Sequence, residues 1–393
     1  MNNIYIIISD VDDNPWAPAI IYSDRNFHIE NFFGFLDGFS YSILKRFEQI
    51  DSLPKNSIKL FLNICSLPLQ PHIHLNKEHI DFINQDENSY MWIFSPQEYT
   101  LKEKELFSVL RTSKINFNKI ILTNSNENLY KQKIQNIKCC PFPEWWEAYY
   151  RYNLNTVKDT SFIPPNKKLK SLNNANKKFL SLNRNLKIHR AWFYQSLIET
   201  KFIKEGHVSY HLPSRANDDS LNFESWIDEG YRKYNIKTKN KKIFKNKNLD
   251  SINNTFVLNN QNTIEPYYHD SVVNLTTESL ENYGFITEKT FKAITHSHPF
   301  ILISNKGINN LLKKRGYKTY EDFFGINEIS SYDESLFVIK KLKKIPLEEM
   351  KNIVKHDLMP AIEYNWNHFF SRDINFSKLL REIYWVIKND NKL

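Results

Sequence analysis

Residues 271–304 limit the possible folds of this chain more narrowly than any other stretch. They open with a short apolar run that contains two valines, Ser271–Leu275, and close with the apolar run that follows Pro299. Both runs have the length and composition of buried strands. Between them, Thr287 can cap a helix that Pro299 ends. Because strand, loop, helix and strand in this order form the unit of a parallel sheet, the stretch predicts an α/β fold.

An acidic and a basic residue, Glu288 and Lys289, fall in the first turn of this predicted helix. In parallel α/β sheets, ligands bind outside the carboxyl ends of the strands, where helices begin. Free backbone N–H groups there attract phosphate, Lys289 would add a positive charge, and Glu288 could accept hydrogen bonds from a ribose diol. The alternative is that Glu288 only offsets the helix dipole while Lys289 is solvated.

The N-terminal part of the chain, residues 1–160, also predicts alternating strands and helices. This alternation favours a parallel sheet with crossover helices. The predicted strands are Asn3–Ser9, Ile58–Cys65, Tyr90–Phe94 and Lys119–Thr123, and the predicted helices are Phe39–Gln49 and Thr100–Ser113.

A predicted linker, residues 151–174, contains two adjacent prolines and few apolar residues. At 393 residues, the chain is long enough for two domains of ordinary size. The second domain begins with a predicted strand, Phe179–Leu182, and a predicted helix, His189–Thr200. The turn between them carries Arg184 and leads to Arg190, and arginine suits bidentate contact with phosphate.

The run FITEK, the amphipathic helix after it and the run HPFILI resemble the donor-binding segment of nucleotide-sugar glycosyltransferases of GT-B type. The chain is most similar to the α-1,3-fucosyltransferase and exostosin-like groups and their uncharacterised bacterial and phage relatives. The resemblance covers roughly residues 175–370, and the first 150 residues match no recognised motif. It implies that Glu288 holds the nucleotide ribose and that Lys289 holds the diphosphate.

The same resemblance implies further donor-binding residues. The related families carry a comparable basic run after the first strand of the second domain, so Asn183, Arg184 and Arg190 would lie beside the diphosphate. The run around Glu278 is similar to one in the relatives, so Glu278 would either face the donor or cap the loop. Thr287, as the cap of the following helix, belongs to the same group.

The implied architecture is α/β, with two Rossmann-like domains and a cleft between them. Residues 1–160 would bind the acceptor and residues 175–370 the nucleotide-sugar donor, with C-terminal helices to residue 393. By analogy with two-domain glycosyltransferases, a final helix would cross back to the first domain.

Catalysis in this scheme is displacement at the anomeric carbon, and its main electrostatic task is to stabilise the departing diphosphate. If the enzyme inverts, a carboxylate of the N-terminal domain deprotonates the acceptor hydroxyl. The candidate bases follow a strand or a proline-bounded turn, and they are Asp10, Asp12, Asp13 and Glu144. Asp10 and Asp12 also spell a metal-binding DxD motif, but that motif does not normally sit directly after the first strand. We therefore expect neither a metal nor another cofactor.

The net charge of +9 favours a polyanionic partner. The acceptor could be a cell-surface glycan or a hydroxymethylated base in phage DNA, and Lys237–Lys247 and Lys167–Lys170 fit contacts to a nucleic-acid backbone. A different function class, a non-enzymatic basic nucleic-acid-binding protein, fits the same charge. The third alternative is that the positive charge has no binding partner. Exposed loops and the lysine bias of an AT-rich genome would then account for the charge.

Several familiar sites are absent from the sequence. None of the eight glycines forms a GxGxxG or GxxxxGK motif, and neither HExxH nor GxSxG occurs. Three cysteines without zinc or disulfide spacing predict a reducing compartment. No run of about 20 apolar residues and no signal peptide is found, so we expect a cytoplasmic protein without a membrane span.

Overall fold

The computed structural model describes residues 4–8, 41–44, 47–64, 75–95, 103–125, 134–156, 172–183, 187–210, 228, 231–232, 266–278, 286–372, 374 and 376–389. The chain divides into two compact units. Unit 1 comprises residues 1–148 and 373–393, and unit 2 comprises residues 149–372.

Unit 1 is built on a six-stranded parallel sheet. Its strands are β1 (Ile4–Ile8), β2 (Tyr41–Leu44), β3 (Ile58–Ile64), β4 (Ser89–Ser95), β5 (Ile120–Asn124) and β6 (Lys138–Cys139), in the order β2-β1-β3-β4-β5-β6. Helices α1 (Lys77–Gln85) and α2 (Glu103–Thr112) follow β3 and β4, and short 3-10 turns lie at Phe47–Ser52 and Phe117–Lys119. Helix α3 (Trp145–Thr156) follows β6 and runs from the end of unit 1 into unit 2. The inner strands β1, β3, β4 and β5 are mainly apolar because a sheet covered on both faces buries both sets of side chains. Phe61, Met91, Ile93 and Leu122 are completely buried in this core.

Unit 2 contains a four-stranded parallel sheet. Its strands are β7 (Lys177–Asn183), β8 (Gly206–Tyr210), β9 (Ser271–Thr277) and β10 (Phe300–Ile303), in the order β10-β9-β7-β8. Its helices are α4 (Ile188–Glu199), α5 (Glu288–Thr295), α6 (Ile308–Lys314), α7 (Glu321–Phe324), α8 (Tyr332–Lys344), α9 (Leu347–Ile353) and α10 (Met359–Ser371). A π-helical turn, Val354–Leu358, joins α9 to α10, and 3-10 turns lie at Leu172–Asn174 and Phe202–Glu205.

The last helix, α11 (Phe376–Asn389), belongs to unit 1 although it follows unit 2 in the chain. None of the helices in the described ranges is long and apolar enough to cross a membrane.

Helix α5 is fixed in unit 2 by its apolar face. Phe291 and Ile294, the two apolar residues spaced three apart, are 0% and 2% exposed. The Phe291 ring centroid lies 5.7 Å from that of Phe369 on α10 and 6.0 Å from that of Tyr317. Burial of a phenylalanine side chain contributes about 1.5–3 kcal/mol, so these contacts hold the helix against the unit.

The structure confirms the predicted parallel α/β sheets and most of the predicted elements. β1, β3, β4, β5, β7, β9 and β10 lie where the sequence predicts strands, and α2, α4 and α5 where it predicts helices. Thr287 caps α5 as predicted, and α5 ends before Pro299.

One sequence expectation is wrong, and a second is described only at its ends. The helix predicted over Phe39–Gln49 is replaced by strand β2 and the start of a 3-10 turn, because Tyr41–Leu44 pairs in parallel with the residues of β1. The linker predicted over residues 151–174 is helical at both ends, since α3 continues to Thr156 and Leu172–Asn174 forms a 3-10 turn. Residues 157–171 lie outside the described ranges.

Candidate functional site

The candidate site lies where strand β9 of unit 2 ends and helix α5 begins. β9 is an inner strand between β10 and β7, and all its residues are buried. Glu278 directly follows β9, and Thr287 is the N-cap of α5. The ends of inner parallel strands are where ligands bind in open α/β sheets.

The carboxylate of Glu278 caps α5 from inside the protein. Glu278 is completely buried, and each of its two oxygens lies 3.2 Å from the backbone nitrogen of Thr287. The Thr287 hydroxyl donates to Oε2 at 2.6 Å, and the Thr290 hydroxyl donates to Oε1. Because a negative charge is favourable at a helix N-terminus, Glu278 lies where its ionised form stabilises the helix.

Glu288 and Lys289 form the first turn of α5. The Lys289 Nζ lies 3.3 Å from Oε1 of Glu288 and 3.0 Å from the hydroxyl oxygen of Thr287. The other carboxylate oxygen of Glu288, Oε2, is buried and accepts no hydrogen bond from any described residue. Buried polar atoms almost always have a partner, so the lack of one for this oxygen among the described residues is unusual.

The two neighbouring carboxyl groups have opposite pKa shifts. Burial raises the pKa of Glu278, and the charge of Lys289 and the threonine hydroxyls offset only part of that effect. Burial acts in the same direction on Glu288, but the charges of Lys289 and Lys292 outweigh it, and the pKa of Glu288 lies below its usual range. Glu288 is therefore ionised at neutral pH.

Backbone amides at the start of α5 are already engaged. The Thr287 amide donates to Glu278, and the Lys289 amide donates to the Thr287 hydroxyl oxygen at 3.3 Å. The expectation that free amides attract phosphate is therefore wrong for these two groups. The positive charge in this turn comes from the Lys289 side chain.

Asn183 lies at the end of β7, beside the end of β9. It is 1% exposed, and its amide oxygen accepts a hydrogen bond from the Thr277 hydroxyl. Its amide nitrogen donates to Ser181 Oγ at 3.1 Å, and its backbone nitrogen donates to Ser209 Oγ at 3.1 Å. These contacts run along the sheet, so Asn183 braces the strand ends that border the site.

Helix α4 contributes a second connection to Glu278. His189, in its first turn, places Nε2 2.7 Å from the backbone oxygen of Glu278. Arg190, the next residue, is 2% exposed within the same helix. Arg184, which was expected beside the diphosphate, lies outside the described residues.

In unit 1, Glu144 lines a cavity of about 210 Å³. It precedes α3, and its Oε1 lies 3.8 Å from Nζ of Lys378 on α11. The remaining walls are formed by the chain before Glu144 and by α11, and they are Pro141, Phe142, Pro143, Leu379 and Glu382.

The other three candidate bases, Asp10, Asp12 and Asp13, lie outside the described residues. Within the described ranges, no group of three or more histidine, cysteine, aspartate or glutamate side chains is placed to hold a metal ion.

Comparison with known proteins yields a weak structural likeness. No protein-family model and no curated protein matches the chain. A crystal structure of an α1,3-fucosyltransferase is 11% identical, with 99% of this chain and 91% of that chain covered and a TM-score of 0.43. Structures of α1,3-fucosyltransferase with GDP-fucose and with GDP are each 13% identical, cover 99% of this chain and 92% and 91% of theirs, and have TM-scores of 0.34 and 0.33. Likeness at this level decides neither the family nor the activity.

Three side chains that organise the site were missed by sequence reasoning. Thr290 follows the cap Thr287 by three residues, a spacing that puts both hydroxyls in one helical turn, so a signal was available. Thr277 and His189 contact partners far away in the sequence, Asn183 and the Glu278 carbonyl. No local pattern encodes such contacts.

Proposed function

We propose that this protein is a glycosyltransferase that moves a sugar from a nucleoside-diphosphate-sugar donor to a hydroxyl acceptor. The observation that carries the proposal is the buried Oε2 of Glu288, which accepts no hydrogen bond from the described residues although it adjoins Lys289 in the first turn of α5. Leaving a buried carboxylate oxygen without a donor costs about 1–3 kcal/mol or more. A ligand hydroxyl at this position supplies the missing donor.

The pair has the chemistry of a nucleotide site. An ionised Glu288 accepts hydrogen bonds from the adjacent hydroxyls of a ribose, and Lys289 places an ammonium beside it for the diphosphate. The side chain of Lys289 is 20% exposed, so a ligand can reach it. These are the roles that the FITEK resemblance assigns to the same two residues.

Other residues of unit 2 support the diphosphate side of this site. We assign Arg184, which directly follows β7, as a second cation for the leaving diphosphate, because two negative phosphates exceed the charge of one lysine. Asn183 and Arg190 are buried on either side of it in the sequence. They serve the donor by fixing the end of β7, which precedes Arg184 in the sequence, and helix α4, which follows it.

Unit 1 supplies the acceptor site in this proposal, with the cavity at Glu144 as its centre. A carboxylate of unit 1, with Asp10, Asp12, Asp13 and Glu144 as the candidates, takes the proton of the acceptor hydroxyl, and the hydroxyl oxygen forms a bond to the anomeric carbon. The bond from that carbon to the diphosphate oxygen breaks, and the nucleoside diphosphate leaves with the electron pair. Lys289 and Arg184 stabilise that charge without a metal.

Between the two acceptor classes, the cavity favours a glycan over DNA. Two carboxylates, Glu144 and Glu382, share its wall with a single lysine, Lys378. Sugar hydroxyls donate hydrogen bonds to carboxylates, whereas the phosphates of DNA are repelled by them. The basic runs that suggested DNA, at residues 167–170 and 237–247, lie outside the described ranges.

Thermal unfolding in the presence of UDP, GDP, ADP, CDP and TDP tests the donor site. We expect one of them to stabilise the protein, by about 2.7 kcal/mol at a concentration of 100 times its Kd. Glu288→Ala and Lys289→Ala should abolish that stabilisation, and Lys306→Ala, on an exposed side chain, should not. If no nucleoside diphosphate stabilises the parent protein at millimolar concentration, the proposal is wrong. Mass spectrometry with a donor and glycan panel, and with hydroxymethylated duplex DNA, then identifies the acceptor.

A further inference from the structure

We infer that Glu278 is a positioning residue that never touches the donor and that sets the direction of the Lys289 side chain through the Thr287 hydroxyl. The inference rests on the proposed function for the identity of the ligand. Its geometry is independent of that function, because it concerns contacts within unit 2.

Three donors inside the protein hold the carboxylate of Glu278, and one of them, the Thr287 amide, is shared between its two oxygens. A carboxylate offers about four acceptor positions, two on each oxygen. Oε1 accepts from the Thr287 amide and the Thr290 hydroxyl, and Oε2 accepts from the Thr287 amide and the Thr287 hydroxyl. With an exposure of 0%, the side chain leaves no lone pair facing a ligand.

The backbone of Glu278 is held from two further directions. Its nitrogen donates to the oxygen of Ile303 at the end of β10, at 3.0 Å. Its oxygen lies 2.7 Å from Nε2 of His189 on α4. The carboxylate is therefore a fixed reference point, and the first turn of α5 takes its position from it.

The Thr287 hydroxyl passes this constraint to Lys289. A hydroxyl has one hydrogen to donate and two lone pairs to accept with. Its hydrogen points to Glu278 Oε2 at 2.6 Å, so both lone pairs face the other way. They accept from the backbone nitrogen of Lys289 at 3.3 Å and from its Nζ at 3.0 Å. Glu278 thus orients the hydroxyl, and the hydroxyl orients the ammonium.

Two threonines of α5 provide a matched test. Thr290 and Thr295 are both 0% exposed, but only the Thr290 hydroxyl contacts Glu278. The Thr295 hydroxyl donates to the Lys292 carbonyl at 3.1 Å and lies 3.3 Å from the Tyr150 hydroxyl. Thr290→Val and Thr295→Val therefore each remove one buried hydroxyl from α5. Only Thr290→Val also removes a hydrogen bond to the Glu278 carboxylate.

The first measurement is amide hydrogen exchange of a peptide covering residues 286–292, which needs no ligand. We expect faster exchange in Glu278→Ala and Thr290→Val than in Thr295→Val. The second is the Kd of the stabilising nucleoside diphosphate. We expect Glu278→Ala to weaken binding about 10-fold or more, and Thr290→Val about three-fold. Thr295→Val should stay within about two-fold of the parent protein.

A double mutant tests whether Thr290 acts on donor binding through Glu278. Because Glu278 and Thr290 share one interaction, Glu278→Ala combined with Thr290→Val should bind no more weakly than Glu278→Ala alone, within about two-fold. The KM for the donor should rise more than kcat falls, since Lys289 is displaced and not removed.

Several results would overturn the inference. One is an amide exchange rate of residues 286–292 that is unchanged in both Glu278→Ala and Thr290→Val. The others are additive losses of nucleotide affinity in the double mutant and an effect of Thr295→Val as large as that of Thr290→Val. If Glu278→Ala does not fold, Thr290→Val alone decides by the same criteria. If the parent protein binds no nucleotide, the proposed function fails, and hydrogen exchange still decides whether Glu278 positions the turn.

Discussion

The Thr277 hydroxyl donates a hydrogen bond to the side-chain oxygen of Asn183, joining the carboxyl ends of β9 and β7. Both residues are 1% exposed. Because the contact lies immediately before Glu278, it ties the strand that bears the helix cap to the strand that leads to Arg184.

Replacement of Asn183 by alanine should destabilise the protein, because it leaves the buried hydroxyls of Thr277 and Ser181 without this partner. We expect a loss of about 1–3 kcal/mol in the free energy of unfolding, measured by urea denaturation. Asn183→Asp keeps the acceptor for Thr277 and removes the donor to Ser181. A loss in Asn183→Ala below about 0.5 kcal/mol would show that the contact is not stabilising.

Replacement of Lys289 by alanine should abolish turnover while the fold remains intact. In our proposal this change removes the ammonium that stabilises the leaving diphosphate, and we expect kcat/KM to fall about 100-fold or more. Lys306→Ala, which removes the same charge from a side chain that is 82% exposed, is the control. Transfer by Lys289→Ala within a few-fold of the parent rate would contradict this role.

Removal of divalent metal should leave the proposed transfer activity intact. In our proposal the diphosphate charge is neutralised by Lys289 and Arg184, so activity is expected to persist in excess EDTA. The measurement is the initial rate of transfer with and without the chelator. Complete loss that magnesium restores would shift attention to Asp10 and Asp12.

Gly206, the first residue of β8, should not tolerate a larger residue. An added Cβ would overlap the ring of Phe179, which stacks on Phe202 with ring centroids 4.6 Å apart. Gly206→Ala should therefore destabilise the protein by about 1–3 kcal/mol, as overpacking of a core does. Phe179→Leu makes room, so its combination with Gly206→Ala should cost less than the sum of the two single changes. Strict additivity would contradict the clash.

The interaction of Asp270 with His207 should make the free energy of unfolding depend on pH in the acid range. His207 Nε2 lies 2.7 Å from Oδ2 of Asp270, and Asn176 donates two hydrogen bonds to Oδ1. Burial would raise the pKa of Asp270, but these hydrogen bonds outweigh it and hold the pKa below its ordinary value of 3.8.

Because the pKa of Asp270 is lower in the folded than in the unfolded state, ionised Asp270 stabilises the fold at pH values above 3.8. That stabilisation disappears as the pH falls from 3.8 through the pKa of the folded state. Asp270→Asn should therefore be less stable than the parent protein at neutral pH, and the difference should shrink below pH 3.8. Unfolding free energies across this range provide the measurement, with Asp81→Asn on the exposed face of α1 as control. A difference that is constant with pH would contradict the expectation.

The sequence correctly predicts the helices and strands whose secondary structure is determined by their own residues. The apolar run of β1 and the cap, stripe and proline of α5 are local signals, and both elements lie where they were predicted. Strand β2 has only four residues, and its state is determined by pairing with Ile4–Ile7. A short edge strand of this kind resembles a helical segment until its partner is known.

The candidate site was also predictable only where local residues determine it. The position of Glu288 and Lys289 follows from the cap at Thr287, which is local chemistry. The inward direction of the Glu278 carboxylate could not be read from the sequence, because its partners lie nine and twelve residues later and its orientation depends on packing.

The assignment of α11 to unit 1 has a consequence for how the protein folds as it is made. A ribosome delivers the strands of unit 1 first, all of unit 2 next and α11 afterwards. Leu379, Leu380, Ile383 and Ile387 on α11 are buried in the finished protein, and Leu379 adjoins Phe142 across the cavity wall. During translation, the surface of unit 1 that these residues cover remains open to water or to a chaperone. Unit 1 is therefore completed only after unit 2 has been synthesised, and unit 2 can fold before α11 packs on unit 1.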